Sequence, residues 1–191
     1  MGEVEEVEKK NPLNLKWTLW YLKPNKGGDW ESNLVPVTSV GTVEDFWALY
    51  NHIELPSNLI QGSDYSVFKD DIKPMWEDKA NRNGGRWLMT FEKGARGATK
   101  LDNAWLEVLL CLIGEAFDDE SDQVCGAVVN VRRVMTKISV WTANYDDKAA
   151  NKKIGKIIKQ RTGYSDPIYY ERHVDTAERG SKNIAPWDSL E

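Results

Sequence analysis

The 191-residue chain predicts an α+β fold: a single domain with a curved antiparallel sheet and helices on one face. Three observations carry the prediction. Most apolar segments alternate with a period of two and are rich in Trp, Tyr and Val, the pattern of strands with one buried face. Only three stretches show the 3.6-residue period of an amphipathic helix. Strand-like and helix-like segments do not alternate regularly, so no parallel βαβ sheet is expected.

Residues 1–11 carry Glu3, Glu5, Glu6 and Glu8 and read as a disordered acidic tail ahead of a domain spanning 12–191. Residues 15–22 alternate and form a strand. Residues 23–29 (KPNKGGD) form a loop, and 34–40 a strand that Pro36 confines to a sheet edge. Residues 42–52 are helical. Thr42 serves as N-cap and Asp45 follows three residues later.

Residues 65–68 form a short strand, and 70–85 a long polar loop that carries Trp76. A strand at 86–92 is followed by a turn at 93–100. The helix at 102–117 is the strongest, with Trp105, Leu106, Leu109, Leu110, Leu112 and Ile113. Residues 126–132 and 137–142 pair as a hairpin. Residues 146–161 make an amphipathic helix with Ile154, Ile157 and Ile158 on one face, closed by Gly163. A last strand covers 167–173, and the chain from Asp175 is polar and mobile.

Cys111 and Cys125 lie in apolar surroundings and read as buried free thiols. There is no N-terminal apolar leader, and the longest apolar run, 108–113, is too short for a bilayer. A reducing cytoplasmic or nuclear location fits, with no membrane partner. Charge is uneven within the net −5: residues 126–182 hold 12 Lys/Arg against 6 Asp/Glu. That half reads either as a surface that attracts phosphates or, at Lys148, Lys152, Lys156 and Lys159, as the solvated face of one helix.

Catalytic patterns are lacking. Two histidines, His52 and His173, and cysteines fourteen apart cannot build a zinc site. Residues 94–100 have the wrong spacing for a phosphate loop. Asp118, Asp119, Glu120 and Asp122 read as a solvated turn. No cofactor or metal is expected. Trp17, Trp20, Trp87 and Trp105 read as core. Trp30 and Trp76 stand in polar loops, where an indole is harder to bury. An indole beside a carboxylate, as in Trp76-Glu77, suits a flat, electron-poor ring, although Glu77 alone reads as a surface carboxylate. Arg132 and Lys137 read as strand-end charges.

Several motifs together resemble the eukaryotic translation initiation factor 4E family, which binds the mRNA 5′ cap. They are Thr42-Val43-Glu44-Asp45-Phe46-Trp47-Ala48-Leu49-Tyr50-Asn51-His52, Pro74-Met75-Trp76-Glu77-Asp78, Gly84-Gly85-Arg86-Trp87, Trp105-Leu106-Glu107, Leu110-Cys111-Leu112-Ile113-Gly114-Glu115, Cys125-Gly126-Ala127-Val128-Val129-Asn130-Val131-Arg132 and Lys137-Ile138-Ser139-Val140-Trp141-Thr142. The resemblance runs from about residue 12 to residue 183. It implies a cupped antiparallel sheet with three helices packed on its convex face.

It also implies a cap-binding set of Trp30, Trp76, Glu77, Arg86, Arg132, Lys137 and Trp141. Trp30 and Trp76 sandwich the 7-methylguanine, Glu77 reads its donor edge, Trp141 meets the N7 methyl, and the three cations serve the phosphates. A second, convex surface of Pro12, Val43, Trp47, Leu106, Glu107 and Leu110 is implied for a scaffold initiation factor and inhibitory binding proteins, each docking a helix with Tyr and Leu anchors. Tryptophan at Trp30, Trp76 and Trp47 favours an initiation-type member over a cap-binding repressor that does not engage the scaffold. The loop Arg133-Val134-Met135-Thr136 departs from the family pattern, as does Asn11-Pro12-Leu13. Ser181 is the loose counterpart of a regulatory phosphoserine.

Overall fold

The structure, a computed structural model, describes residues 9–24, 30–179 and 186–191. Eight strands form one antiparallel sheet: β1 (Pro12–Leu22), β2 (Leu34–Thr42), β3 (Asp64–Lys69), β4 (Gly85–Glu92), β5 (Val124–Val131), β6 (Met135–Thr142), β7 (Ile168–Arg172) and β8 (Asp188–Leu190). Their order across the sheet is β2-β1-β3-β5-β6-β4-β7-β8. Pro36 lies in β2, the edge strand, opposite Trp20 and next to a register irregularity between Leu19 and Trp20.

Strand parity divides the sheet. Trp17 and Leu19, Tyr65 and Val67, Trp87 and Met89, Ala127 and Val129, Ile138 and Val140, and Ile168 and Tyr170 all join one large buried cluster. Three helices complete that cluster: α2 (Val43–His52), α3 (Ala95–Ile113) and α4 (Lys148–Thr162). They contribute Phe46, Leu101, Trp105, Leu109, Leu112, Ile154 and Ile158. Burying an aromatic or branched side chain this fully stabilises the fold by about 1.5–3 kcal/mol each. The opposite face holds a much smaller cluster of Phe68, Ile72, Cys125, Val128 and Trp141.

The helix ends follow local chemistry. Thr42 Oγ1 accepts the Asp45 N–H at 3.1 Å to begin α2. Asp147 does the same for Ala150 in α4, and Gly163 ends that helix at φ +62°. Residues 93–100, expected as a turn, are instead the approach to α3 and its first turns, and the helix stops at Ile113 rather than Phe117. Ala95, Arg96, Ala98 and Lys100 are good helix formers, but burial begins only at Leu101, so these turns carry no periodic signal.

The polar C-terminal stretch, expected to be mobile, forms α5 (His173–Arg179) and, after residues 180–185, strand β8 on the edge of β7. Trp187 anchors it. The Arg172 guanidinium lies 4.5 Å from the indole centroid and Lys148 Nζ 4.7 Å, and the Trp187 N–H donates to the Tyr170 carbonyl at 2.7 Å. The short helix α1 (Trp30–Asn33) precedes β2. Residues 1–8 of the acidic tail, 25–29 of the first loop, and Ser181 lie outside the described residues. Both cysteines are free and buried. Among the described residues no helix is long and apolar enough to cross a membrane.

Candidate nucleotide-binding and partner surfaces

Cross-strand register arranges the face away from the helices in three transverse rows. One runs Thr18, Phe68, Gly126, Trp141, Arg86, Glu171. The next runs Trp20, Ser66, Val128, Ser139, Leu88, Tyr169, and the last Leu22, Asp64, Asn130, Lys137, Thr90. The first row therefore sets a buried indole beside the Arg86–Glu171 pair, and the last, Leu22 apart, is polar with Lys137 beside Thr90 at its end.

The connection from β3 to β4 leaves from the end of the Trp141 row and folds over it. Its Ile72 and Ala80 pack on Phe68, Val128 and Trp141. Asn81, fully buried, ties the loop down by donating from Nδ2 to the Lys73 carbonyl at 2.9 Å and the Met75 carbonyl at 2.8 Å. The Asp78 carboxylate accepts the Lys73 and Ala80 N–H groups. At the far end Gly84 passes so close that a Cβ would run into the Thr142 carbonyl oxygen. This fixed base leaves Trp76 and Glu77 outside: Trp76 is 48 % exposed, and Trp30, opening α1, is 45 % exposed. Both figures contrast with 1–2 % for Trp17, Trp87 and Trp105.

Trp20 differs from its expected core position. It lies half-buried in the middle transverse row, because alternation sets it opposite Trp17 and Leu19. Trp141 is held from several sides. Its Nε1 donates to Ser139 Oγ at 3.2 Å, Phe68 meets it edge-on at 5.4 Å, and the His173 ring lies 4.1 Å away between centroids. Burial, with Arg86 nearby, pushes His173 down to about 3, so its imidazole stays neutral at ordinary pH.

Two of the three expected phosphate cations already hold carboxylates. Arg132 makes a bidentate pair with Asp64, and Arg86 donates from Nε and Nη2 to Glu171 Oε2 at 3.2 and 2.9 Å. The pairs orient each guanidinium and leave Lys137 as the cation of that set without an ion pair among the described residues. Asp64, Asn81, Glu171 and His173 escaped sequence reasoning. Asp64 and Glu171 meet partners 68 and 85 residues away, a separation with no local signal.

On the other side of the molecule, Pro12 pairs opposite Thr42, and Val43 N–H donates to the Asn11 carbonyl. The Glu44 carboxylate accepts both the Asn11 backbone N–H and its side-chain amide. This gathers Pro12 and Val43 at the start of α2, with Trp47 one turn on and 38 % exposed. Leu106, Glu107 and Leu110 follow helical spacing on α3. The two leucines are half-buried against the core edge that Leu49 and Tyr50 of α2 also cover.

The match to known proteins decides the family: residues 12–186 match the one described as eukaryotic initiation factor 4E. The chain belongs to the initiation factor 4E family. Eukaryotic translation initiation factor 4E-1A of Danio rerio is 54 % identical over 172 residues, covering 89 % of this chain and 80 % of that one. The Homo sapiens factor 4E is 53 % identical over 89 % of this chain and 79 % of its own length. A solved structure of Ascaris suum eIF4E-3 with m7G cap superposes with a TM-score of 0.88 at 46 % identity, covering 95 % of this chain and 98 % of that one. The complex of C. elegans eIF4E-3 with the 4E-binding protein Mextli and a cap analog gives 0.88 at 42 %, covering 95 % and 100 %. The 4E members named here are initiation factors rather than enzymes. Among the described residues no group of His, Cys, Asp and Glu is arranged to hold a metal.

Proposed function

We propose that this chain binds the 7-methylguanosine cap of mRNA and recruits a scaffold protein to start translation, as an initiation-type member of the family working in the cytoplasm. The observation that carries the reading is the pair of half-exposed tryptophans, Trp30 and Trp76, the second followed by Glu77, in a chain similar to Ascaris suum eIF4E-3 solved with m7G cap. Methylation at N7 leaves the purine cationic. An indole face attracts such a ring by about 0.5–2 kcal/mol, and base–aromatic stacking adds roughly 1–3 kcal/mol. Plain guanine keeps the stacking and loses the cationic part.

Glu77 accepts the N1–H and exocyclic amine of guanine, a donor pair that adenine lacks. Each such charge-assisted bond is worth about 1.5–3 kcal/mol. Trp141 backs the N7 methyl with an uncharged surface, since its neighbour His173 is neutral. Lys137 and Arg132 take the phosphates, with Arg86 in support. Similar eIF4E proteins solved in complex with Mextli or 4E-BP support a partner role for the patch of Pro12, Val43, Trp47, Leu106, Glu107 and Leu110.

Intrinsic tryptophan fluorescence tests the first half. Saturable quenching by 7-methylguanosine triphosphate and not by GTP, lost in Trp76→Ala, is the expected result, and equal response to both nucleotides overturns it. For the second half, Trp47→Ala weakens a Tyr/Leu-anchored partner helix by about 2 kcal/mol while cap binding persists. Loss of both together makes Trp47 merely structural.

A further inference from the structure

Helix α4 carries five lysines and Arg161 in fifteen residues and no Asp or Glu, in a chain whose net charge is −5. Lys148, Lys152 and Lys156 follow at four-residue steps on one exposed stripe. Lys148 covers the Trp187 indole, but Lys152 and Lys156 do nothing for the helix itself. Like charges at that spacing repel, and cations in the first turns oppose the helix dipole, which favours acids there. The single ion pair of α4 among the described residues is Lys153 with Glu120. Lys159 turns to the Asp166 carbonyl at the C-terminal end of the helix.

That end opens on a basin of about 780 Å³ between the last turn of α4 and the first turns of α3. Lys93, Arg96 and Lys100 line it, against the carboxylates Glu92 and Asp166. Tyr169, 43 % exposed, offers an aromatic surface on its wall. Thr90 lines it too, and Thr90 is the cross-strand partner of Lys137. The basin therefore adjoins Lys137 across one strand pair, and Lys159 and Lys156 lie about one and two turns back along α4 from its Thr162 wall.

We propose that the basin and the lysine stripe of α4 form a second, sequence-independent RNA surface that holds the body of the message beyond its cap. The proposal rests on the cap-binding reading, which delivers a polyanion at Lys137. Charge complementarity favours the phosphate backbone as occupant, and Tyr169 suits a splayed base, as single-strand surfaces commonly combine the two. An acidic protein segment is the competing occupant.

The experiment compares the full chain binding a 7-methylguanosine-capped 15-nucleotide RNA, the same RNA uncapped, and a cap dinucleotide, across a salt series. Three additional phosphate contacts steepen the logarithmic salt dependence by about 2, so a rise from 50 to 200 mM salt weakens the capped RNA roughly 15- to 20-fold more than the dinucleotide. Combined Lys152→Glu, Lys156→Glu and Lys159→Glu should abolish that excess and leave dinucleotide affinity unchanged. The corresponding Gln triple variant should remove most of it. Equal affinity and slope for capped RNA and dinucleotide overturn the proposal. So does a charge-reversed variant that binds RNA like the wild type, or an oligoglutamate peptide that displaces nothing and binds the stripe more tightly than RNA. If the dinucleotide fails to bind while uncapped RNA keeps its variant-sensitive slope, the cap reading falls and the RNA surface stands.

Discussion

The core of the molecule and its connecting segments use the same residue type for opposite ends. On the helix side Trp17, Trp87 and Trp105 are sealed, and the Trp87 indole N–H donates to the Asn151 carbonyl at 2.7 Å. Trp30, at the start of α1, and Trp76, in the β3–β4 connection, stand half in water. A sealed indole contributes to stability through burial. An exposed one leaves that free energy unspent until a ligand covers it. The contrast teaches that tryptophan content alone says little, and that the backbone beneath each ring decides its role.

Four measurements break or sharpen that contrast, beginning with the largest effect. Trp105→Ala should destabilise the fold by about 3–5 kcal/mol in urea unfolding, while the molecules that remain folded keep their cap affinity. A loss confined to affinity would erase the division between sealed and exposed tryptophans. Trp76→Ala should do the reverse. Its unfolding free energy should stay within about 0.5 kcal/mol of wild type, and binding of 7-methylguanosine triphosphate should fall at least about thirtyfold, from about 2 kcal/mol of lost stacking.

The third concerns His173, the buried imidazole behind Trp141. Its native value of about 3 lies below the ordinary 6.5, so the unfolded chain takes up a proton that the folded one refuses. This contribution is complete above pH 6.5 and is lost as the pH falls toward 3, by up to about 1.4 kcal/mol per pH unit. The stability of His173→Asn should therefore fall less steeply than wild type between pH 6.5 and 4, and parallel curves would show that burial does not hold the imidazole neutral. Smallest is Thr42→Ala, which removes the α2 N-cap and should lower stability by about 1 kcal/mol, with cap quenching unchanged.

Strand alternation made most of the sheet legible, including the edge position of β2 and the hairpin of β5 and β6. Caps at Thr42 and Gly163 were legible because one side chain or one missing Cβ suffices. The beginning of α3 was not, since its first turns bury nothing and so show no period. Strand β8 was hidden too, because a three-residue strand is held by Trp187 and its cations rather than by its own pattern. Within the candidate site, Trp76-Glu77 stood out in a polar loop. The Asn81 clamp beneath it did not, for an asparagine in a loop ordinarily faces water.

By itself the sequence determined which residues alternate, where α2 begins and α4 ends, and, through the spacing of its motifs, the family. Only the tertiary structure decided that Trp20 lies away from the helices, that Asp64 and Glu171 hold the two arginines, and that Thr90, the cross-strand partner of Lys137, lines a basin between α3 and α4. Periodicity and capping act over a few residues and are written in the chain. Ion pairs between residues 68 and 85 apart arise only when the strands settle into register, and register is a property of the whole sheet.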